Sequence, residues 1–217
     1  MKSPLQRVEA VAPLTVAVTG ATGFIGQHLL PALIEAGYYV RALTRRDPPF
    51  ELQTLADSVA WVPGLLSQKD TLLSLVQGAD AVVHCAGAIK ALDRETFFAM
   101  NDIGTANVLE AALAQPTPPR FVHISSLAAR EPQLSFYAAS KRLGEDKVLA
   151  SQDKLVAIVL RPPAVYGPGD METLRIFRMA SLGFVPTPMI SGARTSLVHV
   201  KDVVGSVMTA LAVVEMP

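Results

Sequence analysis

Cysteine is nearly missing from this chain of 217 residues. Cys85 stands alone, which excludes an internal disulfide and a cysteine-rich metal site. The histidines (His28, His84, His123 and His199) are scattered without metal-ligand spacing, so no metal is expected. Excess charge of either sign is missing as well. With 19 basic and 19 acidic residues, the chain offers no electrostatic reason to expect nucleic acid or an anionic membrane as a partner. No apolar run approaches membrane-spanning length, and there is neither an internal repeat nor a low-complexity tract. Lys2 and Arg7, ahead of the apolar Val11–Val18, loosely imitate a signal peptide. Glu9 and Pro13 weaken that likeness, and cleavage would remove a strand the next motif needs. A soluble, cytoplasmic protein is expected.

What is present is enough apolar material for a substantial core: half of the residues are hydrophobic and 18% are charged. Short, β-branched apolar runs occur at Leu14–Thr19, Tyr39–Leu43, Val59–Val62, Ala81–His84, Phe121–Ile124 and Val156–Leu160. Helical patterns alternate with them at Ile25–Ala36, Lys69–Gln77, Thr96–Ala114 and Phe136–Ser151. That alternation predicts an α/β fold, a Rossmann-type doubly wound parallel sheet whose strands are buried on both faces. Gly37 is expected to cap the first helix and Pro31 to kink it, while Ser135 is expected to cap the helix from Phe136. After Leu160 the chain turns rich in Pro and Gly, and loops are expected to dominate to about Leu197, interrupted by a helical stretch at Glu172–Ser181. A last helix is expected from Lys201 towards Val214. Residues 1–165 are read as the sheet domain, made an NAD(P)-binding Rossmann domain by the glycine-rich turn at Gly20–Gly26. Residues 166–217 are read as a small, shortened C-terminal substrate region, with a soft boundary near Val165.

The first strand leads into Gly20-Ala21-Thr22-Gly23-Phe24-Ile25-Gly26, and a helix follows. Glycine at these three places permits a tight turn, close approach of backbone N–H groups to a pyrophosphate, and close packing of helix on strand. The helix N-terminus then presents partial positive charge to the phosphates. A bare glycine triplet also marks ordinary turns; strand before and helix after favour dinucleotide binding. At the end of the second strand stand Thr44-Arg45-Arg46, with no carboxylate to receive the ribose hydroxyls of NAD. Two guanidiniums suit a 2′-phosphate, so NADP is the expected cofactor. Asp47 keeps NAD open as the alternative, and solvated arginines are the plain reading of the pair.

Ser125-Ser126 follow the strand Phe121–Ile124, where a parallel sheet opens its carboxyl ends to ligands. Tyr137 and Lys141 lie four apart on a helix and so share a face. A lysine ammonium beside the ring would lower the phenol pKa, an effect an oxidised nicotinamide would reinforce. The phenol would exchange a proton with a substrate hydroxyl or carbonyl while a serine hydroxyl holds the same oxygen. Ser126 is taken as that serine, with Ser125 as the alternative.

These residues resemble the short-chain dehydrogenase/reductase superfamily, especially its extended type, the NAD-dependent epimerase/dehydratase group. The resemblance runs from about Leu14 to Leu211. It rests on Gly20, Gly23 and Gly26, on Tyr137-Ala138-Ala139-Ser140-Lys141, and on Asp80–Gly87, whose end at Ala86 and Gly87 is similar to the turn beside the nicotinamide ribose. The resemblance implies a role for Asn101 in the proton relay of the catalytic lysine. It also implies contact of the loop at Pro162 and Val165 with the nicotinamide carboxamide, and a late motif around His199 and Asp202. Leu65 and Leu66 stand where the family carries an aspartate towards adenine, so contacts there would be apolar or made by backbone. Leu127-Ala128 replace the acidic pair of the dehydratase branch, which argues against sugar dehydration. Thr195 occupies the place of an arginine found in many nucleotide-sugar members, with Arg194 one place earlier. A homodimer through the helices Thr96–Ala114 and Phe136–Ser151 is implied by resemblance alone.

The expected function is hydride transfer between a nicotinamide cofactor and an alcohol or carbonyl of a small molecule through Ser126, Tyr137, Lys141 and Asn101. The alternatives are an epimerase acting on a sugar-type substrate and a cofactor-bound scaffold or redox sensor without turnover. Arg175 and Arg178 are candidates for an anionic substrate, with a solvated basic face as the plainer reading. Phe97 and Phe98 suit either core or substrate pocket.

Overall fold

The computed structural model describes residues 14–49, 52, 55, 58–183 and 194–212. The signal-like stretch with Lys2 and Arg7 lies outside them, as does the expected end of the last helix at Val214. Six strands form one parallel sheet: β1 (Thr15–Thr19), β2 (Tyr39–Thr44), β3 (Val59–Pro63), β4 (Ala81–His84), β5 (Arg120–Ile124) and β6 (Ala157–Leu160), in the order β3-β2-β1-β4-β5-β6. The order reverses between β1 and β4, and the crevice at that point is where an open α/β sheet receives its ligand.

Both faces of the sheet are covered, which is why its strands read as largely apolar runs. On one face lie α1 (Phe24–Glu35) and α7 (Val200–Ala212), which pack together. Leu29, Leu30 and Leu33 of α1 have no exposed surface, and burial of each stabilises the fold by about 1.5–3 kcal/mol. The apolar stripe of α7 (Val200, Val203, Val204, Val207, Ala210 and Leu211) follows helical spacing. So the last helix, although it follows the expected boundary, packs on the nucleotide-binding core. Arg120, at the start of β5, donates to the Ala210 and Leu211 carbonyls and caps its end. On the other face lie α2 (Lys69–Val76), α4 (Gly104–Leu113) and α5 (Phe136–Leu149).

Local expectations hold at two caps. Gly37 takes a positive φ of 84°, and the N–H groups of Gly37 and Tyr38 bond to the Ile34 and Leu33 carbonyls, closing α1 in a Schellman turn. Ser135 accepts from the Ala138 N–H at 3.1 Å and starts α5. Pro31, expected to kink α1 or loosen its first half, sits inside a helix assigned continuously from Phe24 to Glu35. Packing of Leu29, Leu30 and Leu33 against the sheet outweighs the missing N–H.

Two features depart from the sequence reading. The single helix expected at Thr96–Ala114 is three pieces: α3 (Arg94–Phe98), a π-helical turn at Ala99–Ile103, and α4. The region expected to be loop contains β7 (Ala164–Tyr166) and β8 (Leu197–His199), a parallel pair in which Val165 lies opposite Val198. Strands of three residues are too short to show a period of two. Between them α6 (Met171–Ser181) forms as expected, its N-terminus capped by the Asp170 carboxylate.

Candidate active site

The turn after β1 is tight and has no side chain at Gly20, Gly23 or Gly26, a form that lets a phosphate approach its backbone. Gly20 has φ 72°, and a Cβ there would stand 2.6 Å from the Ala86 nitrogen. A Cβ on Gly26 would stand 2.2 Å from the Gly20 oxygen, so helix and turn touch only because residue 26 has no side chain. Gly23 is the N-cap of α1 and provides no side-chain cap, and no acid occupies the first turn. The first N–H groups of α1 are therefore left for a ligand, which fits a phosphate. Thr22, Phe24 and Ile25 border this mouth, with Phe24 edge-on to His28.

At the end of β2, Thr44 is buried and its hydroxyl donates to the Arg46 carbonyl. Arg45 and Arg46 are exposed, and among the described residues their guanidiniums have no hydrogen-bonding or ionic partner. Beyond β3, Leu65 is exposed, whereas Leu66 is buried against Gly104 and its carbonyl accepts from Asn107.

The serine, tyrosine and lysine converge at the carboxyl end of β5. Lys141 is buried and donates to the Ile124 carbonyl at 2.6 Å. Burial pulls its ammonium down to about 8, against the opposing influence of Cys85 and Glu145. Ser126 accepts from the Ala128 N–H at 3.2 Å, which aims its Oγ from the tip of β5. The Tyr137 phenol is raised above its ordinary value by burial, while hydrogen bonding to the Ser126 hydroxyl works the other way. The expectation that Lys141 would hold this phenol low is thus not met in the free protein: burial dominates and the phenol keeps its proton.

Ser125 is a different case from its neighbour. It is buried, and its Oγ donates to Glu145 Oε2 at 2.7 Å. Of the two serines, Ser126 is the one whose hydroxyl acts on the Tyr137 phenol. Asn101 sits fully buried in the π-helical turn, a distortion that recurs at functional sites. Its side chain accepts from the Ala88 N–H at 2.7 Å and donates to the Ala88 carbonyl and to Ser140 Oγ. A Cβ on Gly87 would stand 2.8 Å from Asn101 Oδ1 and 3.8 Å from Lys141 Nζ, so Gly87 leaves open the space above both. The Pro162 carbonyl accepts from Leu127 N–H and ties the loop after β6 to the serine turn.

The sequence reading missed a buried polar chain behind these residues. His84 Nδ1 lies 2.6 Å from Thr19 Oγ1, and its Nε2 lies 3.0 Å from Thr105 Oγ1. Thr105 Oγ1 spends its own hydrogen on the Asn101 carbonyl at 2.7 Å. His84 Nε2 is then the donor to Thr105, and Nδ1 the acceptor from Thr19, which fixes the tautomer. Burial holds His84 down at about 3, so it stays neutral. The Cys85 thiol is pushed up to about 12 by burial, which fits a packing role. Glu145, also unanticipated, pairs with Arg161. Single residues at helical or strand positions gave no signal for either.

Of the weaker candidates, Phe97 joins the site: its ring centroid is 6.1 Å from that of Tyr137. Phe98 instead lies under Arg94, 4.4 Å from the guanidinium carbon. Arg175 and Arg178 stand on α6, and Arg178 lies in its last turn. His199 packs edge-on to Tyr166 and accepts from the Lys201 N–H, a structural placement.

The sheet order and the glycine turn at the switch point together define a dinucleotide-binding protein of the Rossmann type. The chain belongs to the NAD dependent epimerase/dehydratase family, whose model matches residues 16–216. It is 46% identical over 189 residues to a ceramide reductase of Caulobacter vibrioides, covering 86% of this chain and 57% of that protein. It is 34% identical over 180 residues to a 2-alkyl-3-oxoalkanoate reductase of Stenotrophomonas maltophilia, covering 73% and 53%. The chain thus spans little more than half the length of these curated relatives. Among solved structures, the Bordetella bronchiseptica enzyme WbmH in complex with NAD+ matches with a TM-score of 0.79 at 26% identity, over 94% of this chain and 74% of that one. MoeE5 in complex with UDP-glucuronic acid and NAD matches with a TM-score of 0.77 at 27% identity, over 93% and 73%. No helix among the described residues is long and apolar enough to cross a membrane.

Proposed function

We propose that this chain carries the cofactor site and the reacting side chains of an NAD(P)-dependent reductase that converts a keto group to an alcohol on a substrate with a long apolar chain. The observation that carries the reading is the meeting of Ser126, a protonated Tyr137 and a buried Lys141 at the carboxyl end of β5. The bound nicotinamide would supply the hydride. The protonated phenol of Tyr137 is the form that gives a proton to a carbonyl oxygen, and Ser126 Oγ holds that oxygen as charge develops on it. The Lys141 ammonium stabilises the phenolate left behind, and Asn101 holds the backbone at Ala88 beside it.

The apolar part of the substrate is supported by the surroundings of Tyr137. Ile89, Lys90, Ala91, Leu92 and Phe97 line an open depression of about 540 Å³. Lys90, its one charged member, is drawn aside by Glu172 of α6. Ceramide reductase and 2-alkyl-3-oxoalkanoate reductase, by their names, act on substrates bearing alkyl chains. NADP is preferred in this reading because Arg45 and Arg46 stand unpaired among the described residues where a 2′-phosphate would lie. Two copies would pair through the helical stretches Thr96–Ala114 and Phe136–Ser151, a reading supported by the exposed Ile103 in the first and Leu143 in the second. Light scattering of the wild type and of Leu143→Glu checks that pairing: a mass of one chain in both ends it.

The test of function is NADPH oxidation with 3-oxo compounds of increasing alkyl length, run beside nucleotide sugars with NAD. A kcat/KM that rises with chain length supports the proposal. Interconversion of a nucleotide sugar without net cofactor consumption would replace it with epimerisation.

A further inference from the structure

Glu145 lies two turns beyond Tyr137 and one beyond Lys141, on the same face of α5, and is fully buried. Three elements meet on its carboxylate. Ser125 Oγ, from the tip of β5, donates to Oε2 at 2.7 Å. Arg161, from the end of β6, donates through Nε at 3.0 and 2.9 Å and through Nη2 as well. Such a forked pair fixes direction as well as distance. The two residues held here each adjoin a site residue: Ser125 precedes Ser126, and Arg161 precedes Pro162, whose carbonyl binds Leu127 N–H.

The surroundings of Lys141 add an independent observation. The ionisable groups whose fields reach its ammonium are Glu145 on its own helix, His84 and Cys85 at the end of β4, and His123 on β5. Tyr137 stands one turn earlier on α5. Burial keeps both imidazoles and the thiol neutral near neutral pH, and keeps the phenol protonated. Glu145 is driven up by burial, but hydrogen bonds from Arg161 and Ser125 and the nearby Arg161 and Arg142 charges more than offset this and hold it ionised. It is therefore the one anion of this set.

We propose that Glu145 is a positioning residue for the Ser126-Tyr137-Lys141 site, clamping the ends of β5 and β6 onto α5 and supplying the negative charge that keeps Lys141 an ammonium. The proposal rests on the catalytic reading above, but its first readout needs no turnover. In the full chain labelled with 13Cε-lysine, the Lys141 resonance, identified by its loss in Lys141→Arg, is titrated by NMR in wild type and Glu145→Gln. Glu145→Asp, which keeps the charge and shortens the reach, is titrated beside them and separates the loss of charge from the loss of the clamp.

The expected result is a Lys141 midpoint lower in Glu145→Gln by about one pH unit, a tenfold change in proton affinity, and nearly unmoved in Glu145→Asp. The high-pH limb of kcat follows the same pattern, while kcat falls about tenfold or more in Glu145→Asp with NADPH affinity within about threefold of wild type. A Lys141 midpoint unmoved in folded Glu145→Gln overturns the electrostatic role. Should that variant not fold, Ser125→Ala decides the clamp: an undiminished kcat overturns it. A wild type that titrates as expected yet reduces no ketone would end the catalytic reading and leave the charge pairing standing.

Discussion

Gly144 and Asn101 touch backbone to backbone: a Cβ on Gly144 would stand 2.2 Å from the Asn101 carbonyl oxygen. Helix α5 can lie this close to the π-helical turn only because residue 144 has no side chain. The contact seats α5 on the turn that carries Asn101, whose side chain donates to Ser140 Oγ of that helix. Gly144→Ala should destabilise the protein by about 1–3 kcal/mol through overpacking, read as a lower urea midpoint. It should also cut turnover, since α5 must back away. A variant with an unchanged midpoint and rate would mean that the two helices separate at no cost.

Tyr137→Phe should lower kcat by about 10²- to 10⁴-fold, because the proton donor is gone while the ring still packs against Phe97. Ser126→Ala should lose about 10²-fold or more, and NADPH titrations on both variants should match wild type. Full turnover in Tyr137→Phe would remove the tyrosine from the mechanism.

Arg45→Ala should weaken NADPH binding about tenfold or more, the size of a lost charge-assisted hydrogen bond, and leave NADH binding nearly unchanged. Equal weakening of both nucleotides would place Arg45 outside the 2′-phosphate site. Tighter NADH than NADPH binding in the wild type would make NAD the cofactor.

Acid should unfold the chain by charging its buried histidines. His84 is held at about 3 in the fold against 6.5 when exposed, and His123 is lowered by burial as well. The unfolded chain therefore binds more protons below about pH 6.5. The stability from keeping His84 neutral is complete above about 6.5 and is lost progressively as pH falls towards 3, by about 1.4 kcal/mol per pH unit for each proton taken up. Urea midpoints between about pH 7 and 5 should show this slope, and it should be shallower in His123→Phe. An identical slope in that variant would assign the acid lability to other groups.

The nucleotide-binding half was legible because its signals are local. Gly20, Gly23 and Gly26 each answer to a steric demand within one turn, and the apolar runs of β1, β4 and β5 announce burial on both faces. Tyr137 and Lys141 were legible for the same reason, since helical geometry alone puts them on one face. The strands β7 and β8 escaped notice because three residues carry no period. Ser125 and Ser126 could not be told apart, because their difference is the presence of Glu145 behind one of them.

The chain's own order of residues determined a parallel α/β sheet, a glycine turn with room for close backbone approach, and a tyrosine and lysine one helical turn apart. Each is set by backbone sterics or periodicity over a few residues. Only the tertiary structure decided what surrounds them. It half-buried Tyr137 so that the phenol keeps its proton, wired His84 between Thr19 and Thr105, and closed Ser125 and Arg161 on Glu145. Those outcomes depend on dielectric and on contacts between residues 16 to 65 positions apart, which no local pattern records.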